Sequence, residues 1–387
     1  MAAHALLSPS SAARWLACTP SARMEEMFPD RAGDAAAEGT LAHALGELLL
    51  RQAKGEITTR KYNSELKKIA ESDYYSPEMQ GLMEGYRDFV LSQWEEAKKI
   101  TPDAELLLET KLDLREWVED GFGTGDAQII ADRTLRIIDL KYGKGVMVSA
   151  TDNKQMMLYA LGAIREASIF YDIDMVRMTI YQPRTDNVSD FTMNVIDLLD
   201  WAEKELKPRA AMAYAGEGDL VPGDHCLFCK AKVRCRAYAG KQLEIAKYEF
   251  RAADLLTDAE ISDVLDRSAD LKNWLGKVEE YALAEAVDNG KKWPGYKLVE
   301  GRSVRMYRDQ DEVVKKLVAN GIPEAIIYER KLLGITKMEQ AITKKTFGAL
   351  LSDLVVKPQG KPTLVPATDK RPEWNSTESA INDFKDI

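Results

Sequence analysis

The placing of cysteine is the feature that most limits how this chain can close on itself. Only four occur: Cys18 stands alone, and Cys226, Cys229 and Cys235 sit together in the segment CLFCKAKVRC. The Cys-x2-Cys-x5-Cys run offers three thiolates from one tight loop, and Cys18, 208 positions earlier (226 − 18), is the remaining candidate for a fourth. Four sulfur ligands suit a tetrahedral zinc or an iron–sulfur cluster, and ligand type alone does not choose between them. The spacing leans away from zinc ribbons, which usually present two short Cys pairs. Either group would tie the start of the chain to the end of a large folded body, and closing so long a loop stabilises by removing freedom from the unfolded chain. A disulfide framework is not expected, because a reducing compartment and a large core leave no need for one.

A large core is what the composition provides. With 387 residues and 45% hydrophobic content, the chain can bury one main core and a second, smaller unit. No apolar run approaches the roughly 18 to 20 residues that span a bilayer, so no membrane partner is expected. The start MAAHALLSPSS lacks the basic and then apolar pattern of a secretion signal. The expectation is a cytoplasmic protein. A formal net charge of −10 argues mildly against a phosphate-rich partner. Locally the balance reverses: Cys226 to Lys241 carries Lys230, Lys232, Arg234, Arg236 and Lys241 without an acid. A phosphate-binding surface requires such a stretch, although charge runs are as often plain solvated helix faces.

Periodicity orders the rest. Ser8-Pro9-Ser10-Ser11 caps a short helix that ends near Cys18 and Pro20, and a second helix follows from about Gly39 with Leu41, Leu45, Leu48 and Leu49 on its apolar side. Ser76 to Lys99 is helical by its i, i+3, i+4 spacing. Strands follow in AELLLETKLDL, DAQIIAD and TLRIIDLKYG, with a glycine-punctuated turn at Gly121-Phe122-Gly123-Thr124-Gly125 and a hairpin turn at Asp132-Arg133. NKQMMLYALGAIREA is a helix, DMVRMTIYQPR a strand, and Val195 to Tyr214 a helix. The order predicts an α/β fold around a mixed sheet. After Cys235 the chain reads as helical to about Asn289, then as a hairpin from Tyr296 to Tyr307 and two or three short helices, and from Lys357 as an extended Pro- and Lys-rich tail. The expected division is 1–240, 241–356 and 357–387.

In Leu135 to Lys141 the two-residue period of a strand points Asp139 and Lys141 to one side. An acid that binds a hard cation, beside an amine that orients water and offsets charge, suits phosphodiester hydrolysis. An isolated D-x-K is more often a surface ion pair. Asp126 lies thirteen positions upstream (139 − 126), where a hairpin brings it beside Asp139, and two converging carboxylates call for a cation between them. Alone, Asp126 reads as a turn-capping residue. His43 follows Glu38-Gly39-Thr40 on its helix and can complete the set, although a lone helical histidine is usually no ligand. Glu109 is a lesser candidate for the same cation. Gln155 and Tyr159, four apart, share a helix face that can reach a phosphate or orient Lys141.

Together these pieces resemble the RecB-like nucleases of the PD-(D/E)XK superfamily, in the iron–sulfur branch that includes AddB-type and CRISPR-associated exonucleases. One cysteine precedes the core and three follow it, and the motifs run in order as EGTLAH, GTGD, IIDLK and QMMLY. The chain also looks like a phage and prophage family of such enzymes. The resemblance spans about residues 6 to 240. It implies a restriction-endonuclease-like core with a mainly helical C-terminal region, and a metal-dependent DNA nuclease, most simply an exonuclease of phage or bacterial DNA recombination and processing. It further implies that His43, Asp126, Asp139 and the carbonyl of Leu140 bind Mg or Mn, that Lys141 assists the attacking water, and that the four cysteines hold a 4Fe-4S cluster, with zinc as the alternative. The second acid is Asp139 where many relatives have Glu, one methylene longer. A rival reading keeps the fold and the cysteine site in a non-catalytic DNA-binding or assembly protein. For the last third, Lys291, Lys292, Arg302, Arg305 and Arg308 are candidates to grip DNA, and a helicase, recombinase or single-strand-binding protein is a candidate partner.

Overall fold

The structure, a computed structural model, describes residues 5–29, 33–245, 256–299, 308–328 and 332–355. It divides into two units, Met1–Ala282 and Leu283–Ile387.

The first unit opens with a 3-10 turn at Pro9–Ser11 and two short helices, α1 (Ala12–Ala17) and α2 (Ser21–Glu25). Helix α3 (Asp34–Ala53) starts five residues before the expected Gly39, because Asp34 to Glu38 are compatible with helix and Gly39 lies inside it with open space around its Cα. Next comes α4 (Thr59–Ala70), which the sequence reading lacked. Only Tyr62, Leu66 and Ile69 turn inward there, too few apolar residues to stand out in a lysine-rich segment, while the Thr58 hydroxyl caps its first turn. Helix α5 (Pro77–Lys98) is capped by Ser76, whose hydroxyl accepts from the Met79 N–H.

A five-stranded mixed sheet follows, in the order β1 (Glu105–Asp113), β2 (Phe122–Ala131), β3 (Arg133–Leu140), β4 (Ile173–Gln182) and β5 (Asn187–Asn194). Only β3 and β4 run parallel, joined by the crossover helix α6 (Lys154–Ala167). Two departures from the sequence reading stand out. Phe122 to Gly125 is strand, paired with Thr110 to Asp113, and the turn lies before it. Its glycines answer to crowding: a Cβ on Gly123 would fall 2.8 Å from Pro9 and 3.0 Å from Tyr159, and one on Gly125 would fall 2.9 Å from the Gln128 amide. Strand β5 was missed because it alternates only between half-buried and exposed positions, with polar residues on both faces, the pattern of an edge strand with one wet face. The Arg133 hairpin turn is present, with Arg133 in left-handed backbone at φ 66.

Each sheet face carries its own core. On one side α3 and α5 pack Leu45, Leu49, Met83 and Val90 against Leu106, Ile129 and Ile138. On the other, α1, α6 and the helical run α7 (Val195–Trp201) and α8 (Lys207–Ala215), joined through a π-helical turn at Ala202–Leu206, cover Leu112, Ile137 and Met178. Beyond lie α9 (Arg236–Leu243) and the 31-residue α10 (Asp258–Asp288), within which the unit boundary falls. Among its described residues the second unit holds four short helices, α11 (Gln310–Ala319), α12 (Glu324–Ile327), α13 (Ile335–Ile342) and α14 (Lys344–Leu351). Most of the expected 296–307 hairpin and the tail from Lys357 lie outside the described residues. Among the described residues, no helix is long and apolar enough to cross a membrane.

Candidate metal centre and cysteine cavity

The sheet forks at one end, and the fork positions the site. The β2–β3 ladder ends at Ala127 and Ile138, whereas β2 stays paired with β1 as far as Phe122 and β3 stays paired with β4 as far as Leu140. The fork takes the Leu140 N–H off the β2 ladder, and the Asp126 carboxylate accepts it instead at 2.7 Å. At the same level both strands turn over. Leu106 and Leu108 face the α3–α5 core but Leu112 faces the α6 core; Ala127 and Ile129 face the former while Gly123 abuts Tyr159 of the latter. The inversion occurs at the facing pair Glu109 and Asp126, which drops out of the ladder, and Glu109 takes left-handed backbone at φ 50. Such a conformation costs a non-glycine residue about 1 kcal/mol or more and collects at functional sites.

Two groups of side chains converge on the fork. From α3, His43 Nδ1 lies 3.2 Å from Asp126 Oδ1, and His43, Glu109 and Asp126 each offer a ligand atom within 4.8 Å of the others. Glu47, Leu50, Tyr86 and Leu140 line the same cleft. From the opposite layer, the Lys141 ammonium pairs with Asp139 Oδ2 at 2.9 Å and donates to Gln155 Oε1 at 2.9 Å. Gln155 in turn donates to Asp139 Oδ1 at 3.1 Å and to the Tyr159 hydroxyl at 3.0 Å, so its amide orientation is fixed by three partners. Asn153 caps α6 by accepting from the N–H groups of Gln155 and Met156, which sets the height of Gln155 on the sheet.

The electrostatics are those of crowded acids. Burial, then the charges of Asp126 and Glu47, push Glu109 up to about 7. Burial alone would lower His43, but the Asp126 carboxylate outweighs it and holds the imidazole up at about 9. Burial also raises Asp139, against the pull of Lys141. Lys141 stays above its ordinary value because Asp139 overcomes the burial that would discharge it. Among the described residues, the Tyr86 hydroxyl, buried beside these acids, meets no hydrogen-bond partner. An imidazole and two carboxylates suit a Mg- or Mn-class cation, and both the crowding at Glu109 and the unsatisfied Tyr86 hydroxyl fit such a group.

The structure thus brings together His43, Asp126, Asp139, Lys141, Gln155, Tyr159 and Leu140, with Glu109 nearer the centre of the ligand trio than its lesser rank implied. Asp139 lies outside that trio and gives its oxygens to Lys141 and Gln155. Glu47 and Tyr86 were missed. Glu47 had a signal in its i+4 spacing from His43, whereas Tyr86 had none, since it arrives from a separate helix.

The four cysteines line a second, small cavity, with Cys18 from the end of α1 and the others from the two 3-10 turns at Asp224–Phe228 and Lys230–Val233 and the start of α9. Glu25 draws the walls together, pairing with Arg14 at 2.8 Å and accepting from the Lys230 N–H at 2.7 Å. Burial pushes Cys226 up and Cys229 up to about 12, outweighing the nearby charges of Lys241 and Arg14. One expected DNA contact is also overturned. Lys232 is only 8% exposed and turns its ammonium to the Leu227 carbonyl, while Lys230, Arg234 and Arg236 are exposed.

A family described as "Protein of unknown function (DUF2800)" matches residues 4–372. The chain belongs to that family. Among solved structures, the one titled "Crystal structure of SSO0001" is 16% identical over 57% of this chain and 95% of that one, at a TM-score of 0.23, too low to carry an argument. In the second unit, Lys291 packs over the Trp293 ring at 4.3 Å. Lys292 and Arg308 are described, whereas Arg302 and Arg305 lie outside the described residues.

Proposed function

We propose that this DUF2800 member is a Mg- or Mn-dependent DNA nuclease of the PD-(D/E)XK, RecB-like type, with a restriction-endonuclease-like core. One observation carries the reading: a forked sheet that sets a His–Glu–Asp ligand trio against a buried Asp139–Lys141–Gln155 network. A cation held by His43, Glu109 and Asp126, with Leu140 on the cleft wall, would supply Lewis-acid polarisation of a phosphodiester and a nucleophile at neutral pH.

The chain's own residues do the rest. Lys141, kept charged by Asp139, presents a fixed ammonium to offset charge that develops on a phosphoryl oxygen. Gln155 holds that ammonium and the carboxylate in register, and Tyr159 anchors Gln155 in turn. Burial of Asp139 at 2% exposure keeps water from relaxing the pair.

The four cysteines that line one cavity would hold a 4Fe-4S cluster, with zinc as the alternative, since four sulfur ligands suit either group.

The test is purified protein on end-labelled linear DNA with Mg or Mn. Wild type should cut, and Asp139→Ala and Lys141→Ala should not. Intact DNA with wild type under both metals defeats the reading, and uncut DNA that is still bound equally by wild type and Asp139→Ala favours a non-catalytic DNA-binding protein.

A further inference from the structure

The segment between Lys141 and α6 has no regular secondary structure, yet it is held more firmly than most loops. Its clamp is Gln182, at the end of β4 and 1% exposed. Every hydrogen-bonding position of that carboxamide is used. Nε2 donates to the carbonyls of Gly143 at 2.9 Å and Val146 at 2.8 Å, and Oε1 accepts from the Val148 N–H and from Asn187 Nδ2, both at 3.2 Å. Asn187 adds a bond to the Val148 carbonyl at 3.0 Å, and Ser189 accepts from the Ala150 N–H at 2.9 Å.

The tip of this pinned loop faces outward. Val146 is 55% exposed and Met147 64%, and Lys144, between two glycines, is also exposed. A slack loop would turn two adjacent apolar side chains toward the protein; the amide clamp prevents that by fixing the backbone on either side of them. The loop starts two residues after Lys141 and leads into the helix that carries Gln155, so both of its ends are tied to elements of the Asp139–Lys141–Gln155 network.

The geometry points to a strand-guiding element: Gly143–Val148 takes the nucleotide adjoining the scissile phosphate of a DNA single strand, Val146 and Met147 packing on its base and Lys144 meeting its backbone phosphate. This rests on the nuclease reading above. A single strand fits because it repeats what the tip presents, a flat apolar face beside an anion, and apolar contact to a base is tolerant of sequence. A duplex hides that face in its stack. Gln182 is then a positioning residue, acting only through the loop.

The experiment compares kcat/KM on an oligothymidylate strand with that on an equal-length strand of tetrahydrofuran abasic sites, in Mn. Wild type should favour the base-bearing strand by roughly tenfold, the effect of burying one to two methylene equivalents. In Val146→Ser/Met147→Ser that ratio should fall to about one. Gln182→Ala should lower the ratio part of the way and speed hydrogen exchange at 143–150. A double variant that keeps the wild-type ratio overturns the inference while leaving the nuclease reading intact. Wild type and Asp139→Ala behaving alike on both strands overturns the nuclease reading, and this inference with it.

Discussion

Under the proposed reading the sheet fork and the cysteine cavity each hold an inorganic group, but they are prepared in opposite ways. At the fork the protein supplies its own counter-charges: Lys141 faces Asp139, and His43 faces Asp126. In the cavity burial pushes Cys226 and Cys229 up, and the nearby charges of Lys241 and Arg14 offset that only in part. The fork also grows from one continuous sheet, whereas the cavity joins segments over two hundred residues apart in sequence. The difference teaches that the fork can keep its shape without a cation, while in the proposed reading the cavity, already drawn together by Glu25, gains a further tie between distant parts of the chain from its group.

The strongest way to break this contrast is at the fork. Lys141→Ala and Asp139→Ala should each lower DNA cleavage by on the order of 10² to 10³ or more. Circular dichroism should show the fold retained, since His43, Asp126 and the ladder remain. A melted sheet in Lys141→Ala would erase the distinction, showing that the fork needs its internal pair to fold.

At the cavity the expected order is reversed, with structure lost before chemistry. Cys18→Ser and Cys229→Ser, far apart in sequence, should cause the same loss of visible absorbance and the same several kcal/mol of stability, because each removes one ligand of a shared group. Anaerobic protein should carry about four irons per chain. Stoichiometric zinc in colourless protein would replace the cluster assignment.

A milder effect separates the two sites by pH. Glu109 rises from 4.5 to about 7 on folding, so its contribution is full below pH 4.5 and lost as pH rises through 7. His43 rises from 6.5 to about 9, so its contribution is full below 6.5 and lost as pH rises through 9. In chelator, the melting temperature should therefore decline across pH 4.5 to 9, and the gain on adding Mn should grow over the same window, since a cation must displace both protons. Glu109→Gln should flatten the lower half of that decline. A melting curve level with pH in chelator would remove the crowding argument.

The smallest expected effect is at the helix cap. Asn153→Ala should cost about 1 kcal/mol and reduce cleavage modestly, by loosening Gln155 rather than removing it. Cleavage lost as fully as in Lys141→Ala would move Gln155 from a positioning role toward direct contact with substrate.

What the sequence determined by itself was the local chemistry. Period-two alternation in LRIIDLK put Asp139 and Lys141 on one side, i, i+4 spacing paired Gln155 with Tyr159, and the cysteine grouping announced one shared site; each depends only on the geometry of a single element. Tertiary structure decided what that geometry cannot encode. The strands turn over at Glu109 and Asp126, so alternation counted from either end misplaces those acids. The same crowding explains a glycine within the Phe122 to Gly125 strand, because the atoms that demand it at Gly123 come from Pro9 and Tyr159. Lys232 looked like a DNA contact until the fold buried it against the Leu227 carbonyl. A charge or a glycine takes its meaning from neighbours brought in by distant parts of the chain, and those neighbours exist only once the sheet has closed.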